Sequence, residues 1–305
     1  MSKDLKIISL LPAATEIVYE LGLSKHLVGV SDDSDYPKKV RKLPQVVTTL
    51  LPPGLSSKQI DRQVREAKHR GIGIFHIDQN LFEKLKPTLI LSQELCEVCA
   101  IGASEVRKAA RILKTRVKTI SLEPESVNDV FENIKLVAKF TSKEKTAKNL
   151  IATLSKRIST VAKLTAKLNK PRVLIIEWID PIMVAGHWVP EMIEKAGGSN
   201  LITQRGQVSK RISWEEVCSA DPDILLIAPC GFDIVRAKQE LGLITKRKGF
   251  KNLKAVRSNS LYLVDGNAYL TRPGPRIVDG IEILAQIFHP DVFKRKYSKK
   301  DWQKV

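Results

Sequence analysis

The feature that most constrains this chain is a long amphipathic segment near its middle, residues 141–170. Apolar side chains recur there at intervals of three and four, which is typical of one face of an α-helix. Thr141 followed by Glu144 fits a capping box at the start, and Pro171 predicts the end. About 27 helical residues at ~1.5 Å each would extend roughly 40 Å. We interpret the segment as a connecting helix between two domains; the alternative is one long packing helix inside a single domain.

The sequence on both sides of this helix alternates short apolar strands with helical patterns. A strand, a helix and a second strand within the first thirty residues form a βαβ unit, which requires parallel strands and a right-handed crossover. The same pattern restarts at residue 172. We therefore predict an α/β protein with mainly parallel sheets. Its four parts are an N-terminal α/β lobe at 1–140, the connecting helix at 141–170, a C-terminal α/β lobe at 171–289 and a basic tail at 290–305.

Lysine and arginine outnumber aspartate and glutamate by 51 to 33, which gives a formal net charge of +18. Such an excess attracts phosphate backbones or anionic membranes, but here it is spread along the chain. Diffuse charge is typical of a solvated surface, so we expect no specific nucleic-acid partner. The helical stretch at 57–70 is expected to be a solvated face. The tail at 294–304 is expected to be a frayed terminus, with contact to nucleic acid or to lipid head groups as the alternative.

The N-terminal apolar run, residues 7–11, ends at Pro12 and is too short for a signal-peptide core. The sequence contains no run of about 18 apolar residues, the length that spans a membrane. These observations predict a soluble, cytoplasmic protein, in which the four cysteines are expected as thiols. Cys96 and Cys99 form a single CxxC pair. Without a second pair they are predicted to be packing residues rather than a structural zinc site.

Six loops follow predicted strands, three in each lobe, and together they offer aromatic and amide side chains. The aromatic residues are Tyr36, Trp188, Phe232 and Tyr269, and the amides are Gln93 and Asn267. These loops offer no set of nucleophile, base and acid, so we predict a binding protein rather than an enzyme. Aromatic walls with scattered hydrogen-bonding groups suit a large ligand held non-covalently between the lobes.

Several of these segments carry a family resemblance. The sequences ISLLPAATEIVYELGL, VGVSDDSDYP and LEPESVNDVFENI resemble the substrate-binding proteins of ABC importers for vitamin B12, haem and ferric siderophores. SQELCEVCA, SWEEV, DPDILLIAPCGF and VDGNAYLTRPGPR resemble the cobalamin-binding branch of that family. The matches are collinear over residues 5–288. The resemblance implies two Rossmann-like lobes joined by one rigid helix, the class III fold of periplasmic binding proteins, and a cobalamin or related corrinoid as ligand with no required cofactor.

The resemblance also implies roles for particular residues of this sequence. Pro12 and Ala13 would contact the corrin ring, Tyr36 would stack on it, and the loop at 93–99, with Gln93 and Cys96, would line the pocket. Tyr269 would close over the ligand from a loop that it shares with Asp265 and Arg272. Phe232, Asn267 and Trp188 are added from loop position. His187 is a candidate cobalt ligand, because neutral imidazole binds metals, although a lone loop histidine is more often not a ligand.

The family docks to its permease through an acidic residue on each lobe. Glu105 fits the first position, whereas Ser199 stands at the second and departs from the pattern. An ABC permease is therefore one expected partner, and cytoplasmic storage or delivery of the corrinoid is the alternative to uptake. We expect a monomer. The same scaffold binding haem, a ferric siderophore or another metal chelate is the alternative to a corrinoid.

Overall fold

The computed structural model describes residues 5–93 and 117–305. The chain divides into two compact units, each assembled from more than one segment. Unit 1 comprises Met1–Leu55, Arg62–Pro124 and Asn128–Ala152, and unit 2 comprises Ser56–Asp61, Glu125–Val127 and Thr153–Val305. Among the described residues, every helix is too short or too polar to cross a membrane.

The described residues of unit 1 form a six-stranded sheet. Its strands are β1 (Ile7–Ser9), β2 (Leu27–Ser31), β3 (Gln45–Thr49), β4 (Phe75–Ile77), β5 (Leu89–Ser92) and β6 (Lys118–Ser121), in the spatial order β4-β3-β2-β1-β5-β6. All neighbours are parallel except β3 and β4. The carboxyl ends of β1, β2 and β5 therefore meet at one edge, the usual place for ligands in open α/β sheets.

Four helices lie wholly or mainly in unit 1: α1 (Pro12–Glu20), α2 (Ser57–His69), α3 (Gln79–Leu85) and α4 (Val127–Thr141). Of these, α1 and α3 pack against strands of the sheet. α1 begins with proline at its first position, where the missing N–H costs nothing, and the chain turns at Gly22 with a φ of 71°. Ile8, Val46, Phe82 and Ile90 are buried together in one hydrophobic cluster, so β1, β3, β5 and α3 all contribute to the core of the unit.

The predicted connecting helix differs from its expectation at both ends. The structure has α5 at Glu144–Thr165, 22 residues long, and Thr141 is the last residue of α4. The Thr141 hydroxyl donates backward to the carbonyl of Val137 at 2.8 Å, so the predicted capping box is wrong. Ser142, with a φ of 52°, separates the two helices. Residues of α5 up to Ala152 belong to unit 1, and those from Thr153 belong to unit 2.

The sheet of unit 2 is mixed. Its strands are β7 (Arg172–Trp178), β8 (Met183–Val184), β9 (Ser199–Asn200), β10 (Lys210–Arg211), β11 (Ile224–Ile227), β12 (Leu261–Val264) and β13 (Trp302–Lys304). The order is β10-β8-β7-β11-β12-β13, with β9 paired to β7. β7, β11 and β12 are parallel, whereas β8, β10 and β13 pair antiparallel. The loops after β7, β11 and β12 therefore leave the sheet at the same edge.

The helices of unit 2 pack around this sheet. They are α6 (Val189–Lys195), α7 (Trp214–Ala220), α8 (Ile234–Glu240), α9 (Gly242–Thr245), α10 (Lys254–Arg257) and α11 (Ile277–Phe288), with a π-helical turn at Gly266–Leu270. Ser213 and Glu216 form a capping box at the start of α7. Ile176, Leu225 and Leu263, one from each parallel strand, are fully buried in the core.

The C-terminal segment is part of the fold, so the prediction of a frayed terminus is wrong. β13 pairs antiparallel with β12, and the Val305 N–H donates to Leu261 at 3.0 Å. Trp302 is buried, with its ring against Tyr262 and the Arg295 guanidinium 4.0 Å from its centroid. Burial of one indole against an aromatic neighbour and a stacked arginine stabilises a strand of only three residues.

The first turn of α2 also departs from the predicted solvated face. Both the N–H and the hydroxyl of Ser57 donate to the buried carboxylate of Glu240. Ile60 packs against the core cluster of unit 2, and Asp61 accepts a hydrogen bond from Arg211 at 2.8 Å. A carboxylate at a helix N-terminus satisfies free N–H groups and complements the helix dipole, so this turn is anchored.

Candidate functional site

Three predicted binding loops of unit 1 lie at the carboxyl edge of its sheet. Pro12 and Ala13 follow β1 and open α1, Tyr36 follows β2, and Gln93 follows β5. Ala13 and Gln93 are buried, whereas Tyr36 is 43% exposed. The structure therefore brings these four residues to one edge and leaves one aromatic ring there accessible to a ligand.

Four buried hydroxyl groups tie the loop after β1 to the loop after β2. Thr15 donates to Ser9 at 2.8 Å and lies 3.0 Å from the hydroxyl of Ser34, which in turn lies 3.1 Å from the hydroxyl of Ser31. Ser9 donates onward to the carbonyl of Leu11 at 2.9 Å. Connected, buried hydrogen bonds restrict motion of the groups they join. The sequence analysis missed this network, although small hydroxyl residues at the ends of both strands were a signal for it.

Gln93 directly follows β5 and is the last described residue before the gap at 94–116. Its side chain is buried, and among the residues that the structure describes nothing accepts a hydrogen bond from its Nε2. A buried donor without a partner costs free energy, so a ligand oxygen at this point would be stabilised. Cys96, Cys99 and Glu105, which were predicted from the adjoining sequence, lie outside the described residues.

In unit 2, Phe232 lies in the loop after β11. Its ring packs at 5.4 Å against Trp178, the last residue of β7, and the Arg236 guanidinium lies 4.4 Å from its centroid. Arg236 is held by Glu240 at 2.6 Å, and Glu240 is the carboxylate that binds Ser57. Phe232 is itself buried, so it contributes a fixed wall at this edge rather than an exposed ring.

The loop after β12 is bonded directly to the loop after β11. The N–H of Asn267 donates to the carbonyl of Phe232 at 3.2 Å. The Asn267 side-chain oxygen accepts from Arg272 at 2.7 Å, and Arg272 is buried. The predicted residues Phe232, Asn267 and Arg272 are therefore brought together. Because Arg272 binds Asn267, its guanidinium shapes the loop that carries both residues.

Asp265 begins this loop and caps the π-helical turn, where its carboxylate accepts from the N–H of Ala268 at 2.8 Å. The pKa of Asp265 is raised to about 6. Burial, which disfavours the charged carboxylate, is the main cause, and the negative charge of Asp233 adds to it. Asp265 is thus a structural cap whose charge changes in the weakly acidic range.

Tyr269 lies half-buried in the same loop. Its hydroxyl donates to the carboxylate of Asp301 at 2.6 Å, and its ring lies between Tyr297 at 6.2 Å and the Arg276 guanidinium at 5.6 Å. Burial and the bond to Asp301 raise the pKa of Tyr269 well above its ordinary value. The side chain therefore presents a neutral phenol. Asp301 was not among the site residues predicted from the sequence.

Trp188 and His187 precede α6. The Trp188 indole is buried and donates to the carbonyl of Leu270 at 2.8 Å, so it supports the loop that carries Tyr269. His187 adopts a φ of 53°, and burial lowers the pKa of its imidazole, which leaves the ring neutral. Neutral imidazole is a metal ligand. Within the described ranges no three His, Cys, Asp or Glu side chains are grouped to hold a metal ion.

The chain is similar in sequence to a known protein family and to curated proteins. A family model described as "Periplasmic binding protein" matches residues 7–268. An uncharacterized ABC transporter substrate-binding lipoprotein of Bacillus subtilis is 28% identical over 300 residues, covering 95% of this chain and 81% of the relative. A vitamin B12-binding protein of Vibrio cholerae is 23% identical over 282 residues, covering 91% of this chain and 86% of the relative.

Among solved structures, the periplasmic haem-binding protein RhuT from Roseiflexus is 25% identical, with a TM-score of 0.70 over 95% of this chain and all of that chain. The predicted fold class, two α/β lobes of the class III periplasmic binding type, is confirmed by these matches. The predicted cytoplasmic location is wrong, because the family and its matched members are named as periplasmic proteins or as lipoproteins. That prediction rested on the sequence before Pro12, which does not determine location.

Proposed function

Since this chain belongs to the periplasmic binding protein family, we propose that it is the substrate-binding component of an ABC importer and that its ligand is a corrinoid. One observation carries the choice of ligand class. The loops at the carboxyl edge of each sheet carry a tyrosine and an amide, Tyr36 and Gln93 in unit 1 and Tyr269 and Asn267 in unit 2, and hydrogen bonds hold these loops. A relative named as a vitamin B12-binding protein matches 91% of this chain, which supports the same choice of ligand class.

A corrin ring has apolar faces and an edge of side-chain amides. Aromatic contact with the faces supplies affinity, and paired donors and acceptors at the edge supply orientation. The Nε2 of Gln93, which has no partner among the residues that the structure describes, is a donor for an amide oxygen of the ligand. Binding leaves the corrinoid chemically unchanged, and no cofactor is required. Pro12, Ala13 and Asp265 take part as loop backbone and caps.

Haem is the second candidate, and the haem-binding structural neighbour at 25% identity favours it. Haem iron is held by an axial histidine, tyrosine, methionine or thiolate. Tyr269 is unsuited to that role because its hydroxyl is engaged by Asp301 and its raised pKa keeps it protonated. His187, neutral at pH 7, is the axial ligand that we assign if the chain binds haem.

We further propose an ABC permease as the protein partner, with Glu105 as the docking residue of unit 1. Ser199, at the corresponding position of unit 2, is exposed in β9, where it pairs with Arg172 at the start of β7. A neutral residue there gives one charged docking contact instead of two. Coupling to a permease is tested by transport of the labelled ligand in vesicles with Glu105→Gln.

The ligand class is tested by titrating the purified full chain with cyanocobalamin, dicyanocobinamide and haemin, followed by absorbance and calorimetry. We expect saturable one-to-one binding of the two corrinoids, with a change in the corrin absorption bands, and weaker binding of haemin. Preferential binding of haemin would replace the corrinoid assignment by the haem one. Absence of binding by all three ligands would contradict the proposed ligand class.

Tyr36→Ala is expected to weaken corrinoid binding about tenfold, because the ring supplies stacking area worth roughly 1–1.5 kcal/mol. Tyr36→Phe keeps the ring and should bind within about twofold of the wild type. Phe140→Ala is the matched control, since Phe140 is equally exposed at 43% but lies at the end of α4. Equal affinities of Tyr36→Ala and Phe140→Ala in calorimetry would show that Tyr36 does not contact the ligand.

A further inference from the structure

The C-terminal segment is bonded to the loop after β12, although it lies beyond the residues that the family model matches. The Asp265 N–H donates to the carbonyl of Asp301 at 2.9 Å. The Asp301 carboxylate accepts from the Tyr269 hydroxyl at 2.6 Å through Oδ1 and from both the N–H and the hydroxyl of Ser298, each at 2.7 Å, through Oδ2. One carboxylate thus joins the segment to the candidate ligand loop.

This carboxylate is itself held in place. Asp301 directly precedes β13, which pairs with β12, and the adjacent Trp302 ring is buried under Arg295. On the other side, Tyr297 lies against the Tyr269 ring and bonds to Glu282 at 2.7 Å. The tyrosine is therefore fixed at its hydroxyl by Asp301 and at its ring by Tyr297.

The direction of the hydrogen bond has a chemical consequence. A tyrosine hydroxyl has one proton, and an ionised carboxylate can only accept. Tyr269 uses its only hydroxyl proton in the hydrogen bond to Asp301. The phenolic oxygen can therefore only accept a hydrogen bond from a ligand. This oxygen can accept a hydrogen bond from an amide N–H of a ligand. It cannot form one with a ligand carboxylate, which also has no proton to donate. The negative charge of Asp301 behind the phenol adds repulsion of an anionic ligand.

We propose that Asp301 is a specificity-determining positioning residue: it orients Tyr269 so that the site accepts ligands edged with neutral amides and disfavours the same ligands when an edge group is a carboxylate. This inference rests on the proposed function. Contact area alone gives similar affinities for bulky ligands of similar shape. A buried polar group that one of the ligands leaves without a hydrogen-bond partner lowers the affinity for that ligand strongly. Asp301 acts through Tyr269 and need not touch the ligand.

The test uses matched probes: cyanocobalamin, and its monocarboxylic acids, in which one side-chain amide is hydrolysed. We expect the wild type to bind cyanocobalamin at least tenfold more tightly than one of the monocarboxylates. Asp301→Asn should reduce that preference at least threefold, because the negative charge is removed while the shape is kept. Tyr269→Phe, which keeps the ring, should reduce it similarly, and the double variant should show no further loss.

Three outcomes overturn the proposal. The first is an unchanged preference in Asp301→Asn. The second is an equal loss of affinity for both probes in Asp301→Asn and in Tyr269→Phe, which is what a merely structural role predicts. The third is additive losses in the double variant. If Asp301→Asn does not fold by circular dichroism, Tyr269→Phe alone decides. A wild type that binds both probes equally also overturns this proposal, whereas a wild type that binds neither probe overturns the proposed function itself.

Discussion

Arg157→Met is expected to lower the free energy of unfolding of unit 2 by about 3 kcal/mol at pH 7. The Arg157 guanidinium donates to Glu282 at 2.8 Å and to Asp279 at 2.5 Å, and all three side chains are partly buried, with between 15% and 28% of each exposed. Methionine keeps most of the apolar stem but removes the positive charge and leaves two carboxylates facing each other. Breaking such a pair costs more than forming it contributes, because the remaining charges stay poorly solvated.

The pH dependence of this loss follows from Glu282. Burial alone would raise its pKa, but hydrogen bonds from Arg157, Lys296 and Tyr297 outweigh burial and lower the pKa from 4.5 to about 2. A carboxylate with a lowered folded-state pKa contributes stability above about pH 4.5, and that contribution is lost as the pH falls towards 2. The difference between wild type and Arg157→Met should therefore be largest at pH 5 to 7 and shrink at pH 3.

Urea unfolding at pH 7, 5 and 3, followed by tryptophan fluorescence, measures both effects. Arg62→Met is the matched control, because Arg62 pairs with Glu66 at 3.0 Å on the exposed face of α2. Exposed pairs of this kind contribute about 0.5 kcal/mol or less. A loss in Arg157→Met no larger than that of Arg62→Met, or a loss that does not change with pH, would mean that the cluster is not a stabilising ion-pair network.

Local patterns in the sequence were sufficient to predict short strands that are largely apolar. The strand at Ile7–Ser9 lies in such a run, which ends just before Pro12, and it belongs to the βαβ unit predicted for the first thirty residues. The start of the connecting helix was predicted at Thr141, whereas the structure ends α4 at Thr141 and begins α5 at Glu144. The reason is that the Thr141 hydroxyl bonds back to Val137 within its own helix instead of capping the next one.

Contacts between distant residues could not be predicted in this way. β13 has three residues and is a strand because β12 pairs with it, and the Tyr269 hydroxyl meets a carboxylate 32 positions later in the chain. The hydroxyl network around Ser34 spans two loops. In each case a short polar or aromatic segment has no periodicity of its own, so only the fold determines its partner.

Gly266→Ala is expected to destabilise unit 2 by about 3 kcal/mol and to weaken corrinoid binding at least tenfold. A Cβ on Gly266 would lie 2.3 Å from the carbonyl oxygen of Pro229 and 2.6 Å from that of Ala228. Both are backbone atoms of the loop after β11, so no side chain can rotate away. The loops after β11 and β12 must separate, which strains the bond from Asn267 to Phe232 and moves Tyr269.

Gly242→Ala is the matched control for this substitution. Gly242 opens α9 in the same unit, and a Cβ on it would meet only the flexible end of the Lys246 side chain, 3.8 Å away. Alanine there should leave binding unchanged and keep or slightly raise stability, since it restricts the unfolded chain. Thermal unfolding and corrinoid calorimetry of both variants separate the two results. If Gly266→Ala matched Gly242→Ala in both measurements, the close approach of the two loops would have no consequence for stability or binding.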